Sequence, residues 1–334
     1  MESFGERLRD LSAGEEFACA ITDTEQIWCW GSNDVGQLGR GFTSLSELPG
    51  EAVDLPVDVI PVQVSAGRNH ACAVAFDPGT AANQVFCWGS NAAGQLSDGA
   101  VVGGVTRVEV AGSPILAARV AAGGNFTCAA DDLTPPAPPT ALCWGGTSSN
   151  FGQLGNGGTT GSPTPVETND IGTIRAPIED LQAGLFHVCA IAAGELHCWG
   201  RGDQGQVGDG TSTTNNTSPT FVPVMDPAEL AMRTRATCVR SGSGEVTCFG
   251  QNLNGSLLIG DGRTSIPDPE LIPAIGSAAD RLYGGSATAG HTCVRSLGGQ
   301  MFCWGANEQG QLGIGVTDPV TSPRDVTPIE NLGF

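Results

Sequence analysis

Alternation of apolar and polar positions predicts short β-strands along the chain. In HVCAIAAGELHCWG, which starts at His187, two alternating runs flank the pair Ala193-Gly194. Such runs, joined by two residues that include glycine, predict a β-hairpin. An apolar period of 3.6 residues, which would indicate amphipathic helices, is absent throughout. The pattern predicts an all-β protein.

The same hairpin occurs six times, about every 55 residues, a period in the range of propeller blades. Its second strand leads into a block such as CWGSNDVGQLGRG, and a block such as SAGRNHACAV from Ser65 precedes the hairpin turn. One domain is therefore predicted over residues 1–334. Its repeats cover approximately residues 8–60, 61–115, 116–176, 177–227, 228–280 and 281–334.

The two blocks, AGxxHxCA and CWGxNxxGQLGxG, resemble the repeat of the regulator-of-chromosome-condensation (RCC1) family. The resemblance extends over nearly all of residues 8–315, and it weakens in the first block of the fifth and sixth repeats, at 232–235 and 287–290. It implies a β-propeller. Members of the family usually have seven blades, whereas six repeats are counted here, and six blades are favoured over seven.

A strand rich in Pro and Val suggests how the ring closes. This strand precedes the AG block of later repeats, as in LPVDVIPVQV before Ala66, and the first repeat lacks it. The C-terminal SPRDVTPIENLGF has the same character with no AG block after it. We therefore predict that residues 326–329 complete the first blade. Such strand exchange between the termini would close the six-bladed ring without an open sheet edge.

The twelve cysteines fall at two positions of the repeat and form six pairs with none left over. Residues that face each other across a hairpin have α-carbons about 4.5 to 5.5 Å apart, a distance that a disulfide can bridge. The spacing of each pair fits a two-residue turn, a three-residue turn or an enlarged turn. The sequence predicts six disulfides, one per blade: Cys19 with Cys29, Cys72 with Cys87, Cys128 with Cys143, Cys189 with Cys198, Cys238 with Cys248, and Cys293 with Cys303.

Two other roles for the cysteines are open at this point. They could be reduced core residues, or they could bind a metal, although each blade offers one pair where a zinc site needs four ligands close together. Disulfides persist in oxidising compartments, so we expect an extracellular, periplasmic or cell-surface protein. The first eleven residues lack the apolar core of a secretory signal, and we expect that such a signal is not present in this chain.

Charge limits the partners. The formal net charge is −20, from 15 basic and 35 acidic residues, and every basic residue is Arg. Nucleic-acid binding needs clustered cations, so no nucleic-acid partner is expected. No segment approaches the roughly 18 consecutive apolar residues of a membrane-spanning helix. No combination of nucleophile, base and orienting residue is found, so we expect neither an enzymatic activity nor a cofactor. We also expect a monomer.

Two sets of repeated side chains have a structural interpretation. The histidines His70, His187 and His291 share their repeat position with Phe17 and Phe126, which indicates a packed site and not a catalytic base. One large residue after the second cysteine of each blade is expected to pack neighbouring blades together. These residues are Trp30, Trp88, Trp144, Trp199, Phe249 and Trp304.

Candidate binding sites are the places where the repeats differ, because a propeller presents variable loops on a constant frame. The hairpin turns of the second and third blades are enlarged, to DPGTAA at 77–82 and DDLTPPAPPT at 131–140. A Pro-rich loop can bind with little ordering cost, and a tolerated surface insertion is the alternative. The candidate residues are Asp77, Pro78, Asp131, Asp132, Pro135, Pro136, Pro138 and Pro139.

A basic patch of Arg233, Arg235 and Arg240 is a second candidate site, for a carboxylate-rich partner. Ordinary solvated surface charge is its alternative. Together these features favour an extracytoplasmic protein-binding or adhesion scaffold. In this the chain resembles secreted bacterial members of the family that bind other proteins. The partner would be an unidentified protein or cell-surface molecule. Guanine-nucleotide exchange, as in the chromatin-associated relative, propeller hydrolase or lyase activity, and a purely structural role are the alternatives.

Overall fold

The computed structural model describes residues 7–48, 51–97, 104–110, 112–130, 140–172, 177–253, 257–258, 262–273, 275, 279–284, 290–308, 310, 312 and 314–326. Within these ranges the regular elements are β-strands, and no α-helix occurs. The strands form six antiparallel four-stranded sheets, each built from strands that are consecutive in the chain. These sheets are the blades of a propeller ring, so the predicted all-β, six-bladed fold is confirmed.

The bounds of the strands follow the repeats. The first blade contains β1 (Leu8–Ala13), β2 (Phe17–Thr22), β3 (Ile27–Asn33) and β4 (Ser44–Glu47). The second contains β5 (Ile60–Ala66), β6 (His70–Asp77), β7 (Ala82–Gly89) and β8 (Thr106–Arg107). A small separate sheet follows, formed by β9 (Glu109–Val110) and β10 (Ser113–Pro114). The third blade contains β11 (Arg119–Ala122), β12 (Phe126–Ala130), β13 (Leu142–Gly145) and β14 (Ser162–Glu167).

The remaining three blades have the same order. The fourth contains β15 (Ile178–Ala183), β16 (His187–Ala192), β17 (Glu195–Gly200) and β18 (Asn216–Val222). The fifth contains β19 (Pro227–Met232), β20 (Ala236–Ser241), β21 (Val246–Gln251) and β22 (Ser265–Leu271). The sixth contains β23 (Ala279–Gly284), β24 (His291–Ser296), β25 (Met301–Gly305) and β26 (Val320–Asp325).

Loops alternate between the two faces of the ring, because each blade is an antiparallel meander. The turns between second and third strands lie on one face, which we call the hairpin face; residues 78–81 and 193–194 belong to it. The turns between first and second strands and the loops after the third strands lie on the other face. We call it the AG face; residues 67–69, 184–186 and 201–215 belong to it.

The predicted strand exchange between the termini is wrong in the described residues. In the fourth blade the segment rich in Pro and Val forms β18, which ends its own blade by pairing with β17. In the second blade part of the corresponding segment forms β5, which pairs with β6 of that same blade. At the C-terminus β26 pairs with β25, and the amide of Val326 donates to the carbonyl of Met301 at 2.9 Å. The first blade has four strands of its own, β1 to β4. Residues 327–329 lie outside the described residues.

Two repeated contacts join successive blades. Trp88, Trp144, Trp199, Phe249 and Trp304 are completely buried, whereas Trp30 in the first blade is partly exposed. Indole Nε1 groups donate to backbone carbonyls of the preceding blade: Trp88 to Gln37 at 3.0 Å, Trp144 to Gln95 at 2.8 Å and Trp199 to Gln153 at 3.0 Å. Carboxylates on first strands accept backbone amides of the next blade: Asp10 from Val64 at 2.9 Å, Asp180 from Leu230 at 2.9 Å and Glu229 from Leu282 at 3.0 Å.

All six predicted cysteine pairs are disulfides, and no cysteine is free. Each joins residues that lie directly opposite each other on the second and third strands, with α-carbons 4.0–4.1 Å apart. The cysteines of the first five blades are fully buried. A covalent bond thus fixes the register of every hairpin from within the blade.

Removal of one disulfide should lower stability measurably. Cys189→Ala with Cys198→Ala frees the hairpin of the fourth blade, and we expect the free energy of unfolding to fall by about 2 to 3 kcal/mol, because the unfolded chain regains conformational freedom. Urea unfolding of the variant and the wild type measures the change. Alkylation of denatured, unreduced wild-type protein is the control, and a mass increase there would contradict the disulfide assignment.

Candidate functional site

The hairpin of the second blade extends further than its counterparts. Strands β6 and β7 are each eight residues long, whereas β16 and β17 in the fourth blade are each six. Their pairing continues to Asp77 opposite Ala82. The tip of this hairpin, with an exposed Pro78, therefore projects from the hairpin face.

The tip is held by the carboxylate of Asp77. It accepts the amide of Gly79 at 2.8 Å, the hydroxyl of Thr80 at 3.1 Å and Nε2 of Gln84 at 2.9 Å. The hydrogen bond from the Gly79 amide is the main cause that lowers the pKa of Asp77. The turn is therefore anionic and fixed by its own hydrogen bonds, so it needs little ordering when it binds a partner.

The enlarged turn of the third blade starts beside this hairpin. Gln63 links the two blades, since its Oε1 accepts the amide of Val120 at 2.9 Å and its Nε2 donates to the Val120 carbonyl at 3.2 Å. The disulfide between Cys128 and Cys143 fixes the base of the turn. The predicted contact residues of this turn lie outside the described residues: Asp131, Asp132, Pro135, Pro136, Pro138 and Pro139.

Two of the repeated histidines are buried between blades. Nε2 of His70 lies 2.9 Å from Oγ1 of Thr127 in the third blade, and Nε2 of His187 lies 3.0 Å from Oγ1 of Thr237 in the fifth. Each threonine hydroxyl donates its hydrogen to a backbone carbonyl at 3.0 Å. In the bond between histidine and threonine, Nε2 of the histidine is therefore the donor. Burial lowers the pKa of His70 to about 4 and that of His187 to about 3. These are neutral packing residues.

The predicted basic patch does not form. Arg233 is only 3% exposed, and burial lowers its pKa to about 10. Arg240 lies opposite Glu229 in the sheet, and its Nε donates to that carboxylate at 2.8 Å. Of the three arginines, Arg235 lies on the AG face and is partly exposed. It makes no ion pair in the described part of the chain.

A cluster that the sequence analysis missed lies on the AG face. Phe151 of the third blade and Phe186 of the fourth meet edge to face, with ring centroids 5.2 Å apart. The guanidinium of Arg201 lies 4.9 Å from the centroid of the Phe151 ring and 5.8 Å from that of Phe186. All three side chains are partly exposed. Comparison of the repeats could have identified Phe186, whose position holds Glu16, Asn69 or Asn125 in the first three blades.

Other kinds of site find no support in the described ranges. No group of three or more His, Cys, Asp or Glu side chains there could hold a metal ion. No helix there is long and apolar enough to cross a membrane.

Comparison of the sequence with models of known families identifies the same repeat that the strand topology shows. Two models of the regulator of chromosome condensation (RCC1) repeat match, one at residues 8–37 and 62–95, the other at 25–74, 193–238 and 298–333. Together they cover just over half of the chain. The chain belongs to the RCC1 repeat family.

Two curated proteins are similar to this chain in sequence. The ultraviolet-B receptor UVR8 of Arabidopsis thaliana is 27% identical over 95% of the chain and 69% of the receptor. The E3 ubiquitin-protein ligase HERC2 of Homo sapiens is 27% identical over 83% of the chain, which spans only 6% of that ligase. These relatives support a protein-binding or regulatory scaffold.

Solved structures show the same fold. Human WBSCR16 superimposes with a TM-score of 0.80 at 23% identity, covering 98% of the chain and 84% of WBSCR16. Yeast RCC1 (Prp20), in a crystal structure with Kap60 bound to it, has a TM-score of 0.80 at 19% identity, over 96% of the chain and 75% of the solved chain.

The RCC1 repeat explains why Arg233 is buried. In other blades a Cβ on the AG glycine would collide with the ring three residues later, as Gly67 would with His70. The fifth blade has Arg233 at the glycine position and Ala236 at the ring position. The arginine therefore occupies space that a ring fills elsewhere, beside Gly290 and Gly305 of the sixth blade.

The buried histidines His70 and His187 should make the folded protein less stable at acidic pH. Folding favours the neutral imidazole, so its stabilisation is complete above the unfolded pKa of about 6.5 and is lost as pH falls towards the folded value. His187→Phe with Thr237→Val copies the Phe126 and Val188 pair of the preceding junction. Urea unfolding between pH 7.5 and 5 should show that the variant loses up to about 1.4 kcal/mol less per pH unit than the wild type.

The reciprocal exchange is the control for that experiment. Phe126→His with Val188→Thr adds a buried histidine and should make the dependence on pH steeper. Equal slopes in all three proteins would contradict the assignment of these histidines as buried neutral groups.

Restoration of the repeat in the fifth blade should stabilise the protein. Arg233→Gly with Ala236→His removes a buried cation, and it provides a donor for Oγ1 of Thr292, which is buried without a partner among the described residues. We expect a gain of about 1 kcal/mol in thermal or urea unfolding at pH 7.5. Arg233→Gly alone should destabilise, since it leaves the space empty, and a double variant less stable than the wild type would contradict the compensation.

Proposed function

We propose that this RCC1 propeller is an extracytoplasmic protein-binding or adhesion scaffold whose contact surface is formed by the enlarged hairpins of the second and third blades. The observation that carries the proposal is the extended β6–β7 hairpin with its tip fixed by Asp77. A protruding and preordered element binds without paying for its own ordering. Strands β12 and β13, which flank residues 131–140, meet the same face, and we include this segment in the proposed surface.

The oxidising location rests on the disulfides. Six disulfides with no free cysteine fit a secreted or surface protein, because cytosolic reductants keep most thiols reduced. The formal net charge of −20 fits a protein partner rather than a nucleic acid. We propose no enzymatic activity and no cofactor.

Guanine-nucleotide exchange is the second candidate function. Its support is the likeness to yeast RCC1, and a further solved structure of that protein bears a title that names its binding to Gsp1p and histones. Because those likenesses are below 25% identity, they show the fold alone. The disulfides favour the extracytoplasmic scaffold over an exchange factor that acts on a cytosolic or nuclear GTPase.

Shortening the hairpins tests the scaffold. Replacement of residues 77–82, 131–140 or both by the Ala193-Gly194 type of turn should leave the unfolding midpoint within a few degrees of wild type, because the disulfides below the turns are retained. Immobilised wild-type protein should capture a partner from the extracellular fraction of its source, and the double replacement should lose it. Leu297→Ser, at the tip of the hairpin in the sixth blade, is the matched control.

If the variant with both hairpins shortened still captures the partner, the proposal that these hairpins form the contact surface is wrong. Capture of a GTPase from a cell extract, with release of its bound guanine nucleotide accelerated by the propeller, would support the exchange function in its place.

A further inference from the structure

The AG-face cluster consists of Phe151, Phe186 and Arg201, with Arg235 beside it. Phe151 comes from the loop after β13, Phe186 from the turn before β16, and Arg201 directly follows β17. The rings contact each other and both face the guanidinium. All of these side chains are partly exposed, so a ligand can reach them.

Folding of the blade does not require these residue types. The repeat position of Phe186 holds Glu16, Asn69 or Asn125 in the first three blades, and each of those blades has the same four-stranded sheet. The position of Arg201 holds Ser32 and Ser90 in the first two. Exposure of an aromatic ring to water is unfavourable in free energy. Exposed rings that the fold does not need are therefore typical of contact surfaces.

Charge distinguishes this cluster from the rest of the acidic chain. Arg201 donates to Asp203 from Nε at 2.9 Å and from an Nη at 2.6 Å. Burial opposes ionisation of Asp203, but hydrogen bonds from Arg201 and the nearby charge of Arg235 outweigh it and lower the pKa of this carboxyl. Two arginines face one carboxylate, so the cluster has a local excess of positive charge in a chain of net charge −20.

We propose that the AG-face cluster binds a carboxylate-bearing segment of a partner protein. An apolar side chain of that segment packs on the rings of Phe151 and Phe186, and a neighbouring carboxylate pairs with the guanidinium of Arg235. Arginine and aromatic residues are the types that contribute most to protein interfaces, and a guanidinium can hold a carboxylate by two parallel hydrogen bonds.

Two other occupants are less consistent with the charge. A basic segment would be repelled by Arg235, and a second copy of this chain, which also carries a net charge of −20, would be repelled as a whole. The cluster lies on the face opposite to the enlarged hairpins. Binding there is therefore independent of the hairpin surface under the proposed function.

Labelled peptides test the site directly. The probe is a pool of fluorescein-labelled octapeptides in which Asp or Glu alternates with Leu or Phe, and a matched pool contains Asn or Gln in place of the acids. Fluorescence anisotropy at low salt should show saturable binding of the acidic pool and at least tenfold weaker binding of the amide pool. Arg235→Gln and Phe186→Asn, the latter as in the second and third blades, should each weaken the acidic pool at least about fivefold.

Matched controls separate binding from folding. Arg9→Gln changes another exposed arginine, which pairs with Glu25 at 3.4 Å in the first blade, and it should leave peptide binding unchanged. Every variant should keep the wild-type unfolding midpoint. The shortened-hairpin variants should bind the acidic pool as the wild type does, so failure of the hairpin proposal and failure of this one give different results.

Three results would overturn the proposal. The first is absence of saturable binding at millimolar peptide, and the second is binding that Arg235→Gln and Phe186→Asn leave unchanged. The third is a concentration-dependent dimer in sedimentation velocity that Phe186→Asn abolishes, because it would assign the cluster to contact between copies of this chain.

Discussion

The disulfide between directly opposed residues of each hairpin determines which side chains face the neighbouring blades. In the fourth blade Cys189 faces Cys198, so Val188 must face Trp199 and His187 must face Gly200. A slip of one residue would turn each of these side chains to the other side of the sheet. The indole wedge and the histidine contact between blades both depend on this register, and the covalent bond excludes the slip.

Side chains that meet at a junction vary together because they share one buried volume. Where the first partner is Phe126, the second is Val188, and both lie in one apolar cluster. Where it is His187, the second is Thr237, whose Oγ1 accepts a hydrogen bond from Nε2 of the histidine. Arg233 extends the same rule within one blade, since it is accommodated only where the ring is reduced to Ala236. The Phe126 and Val188 pair and the His187 and Thr237 pair thus each fill the junction and leave no Nε2 or Oγ1 between them without a partner.

Features of one hairpin, and a contact repeated at most junctions such as that of Trp199, could be predicted from the sequence. Contacts that occur at one junction could not. Alternation, turn length and the opposition of Cys189 and Cys198 are local, so strands and disulfides were predictable. For the described residues, which end at Val326, the assignment of the C-terminal strand to the first blade was wrong. Adjacency in the chain does not tell whether a strand ends one sheet or begins the next. Burial of Arg233 and the meeting of Phe151 with Phe186 depend on contacts across a junction that no single repeat encodes.

Rigidity of the frame also limits how its two faces can communicate. Each blade is cross-linked internally, and the described junctions between successive blades combine packed aromatics with hydrogen bonds near the ring centre. Coupling between sites requires an element with two arrangements of similar free energy. Within the described residues the β6–β7 tip is tied by Asp77 and the AG-face rings rest on Arg201, so neither presents such an element. Occupation of the hairpin face and of the AG face should therefore be additive in free energy, which suits a scaffold that holds two partners at once rather than a switch.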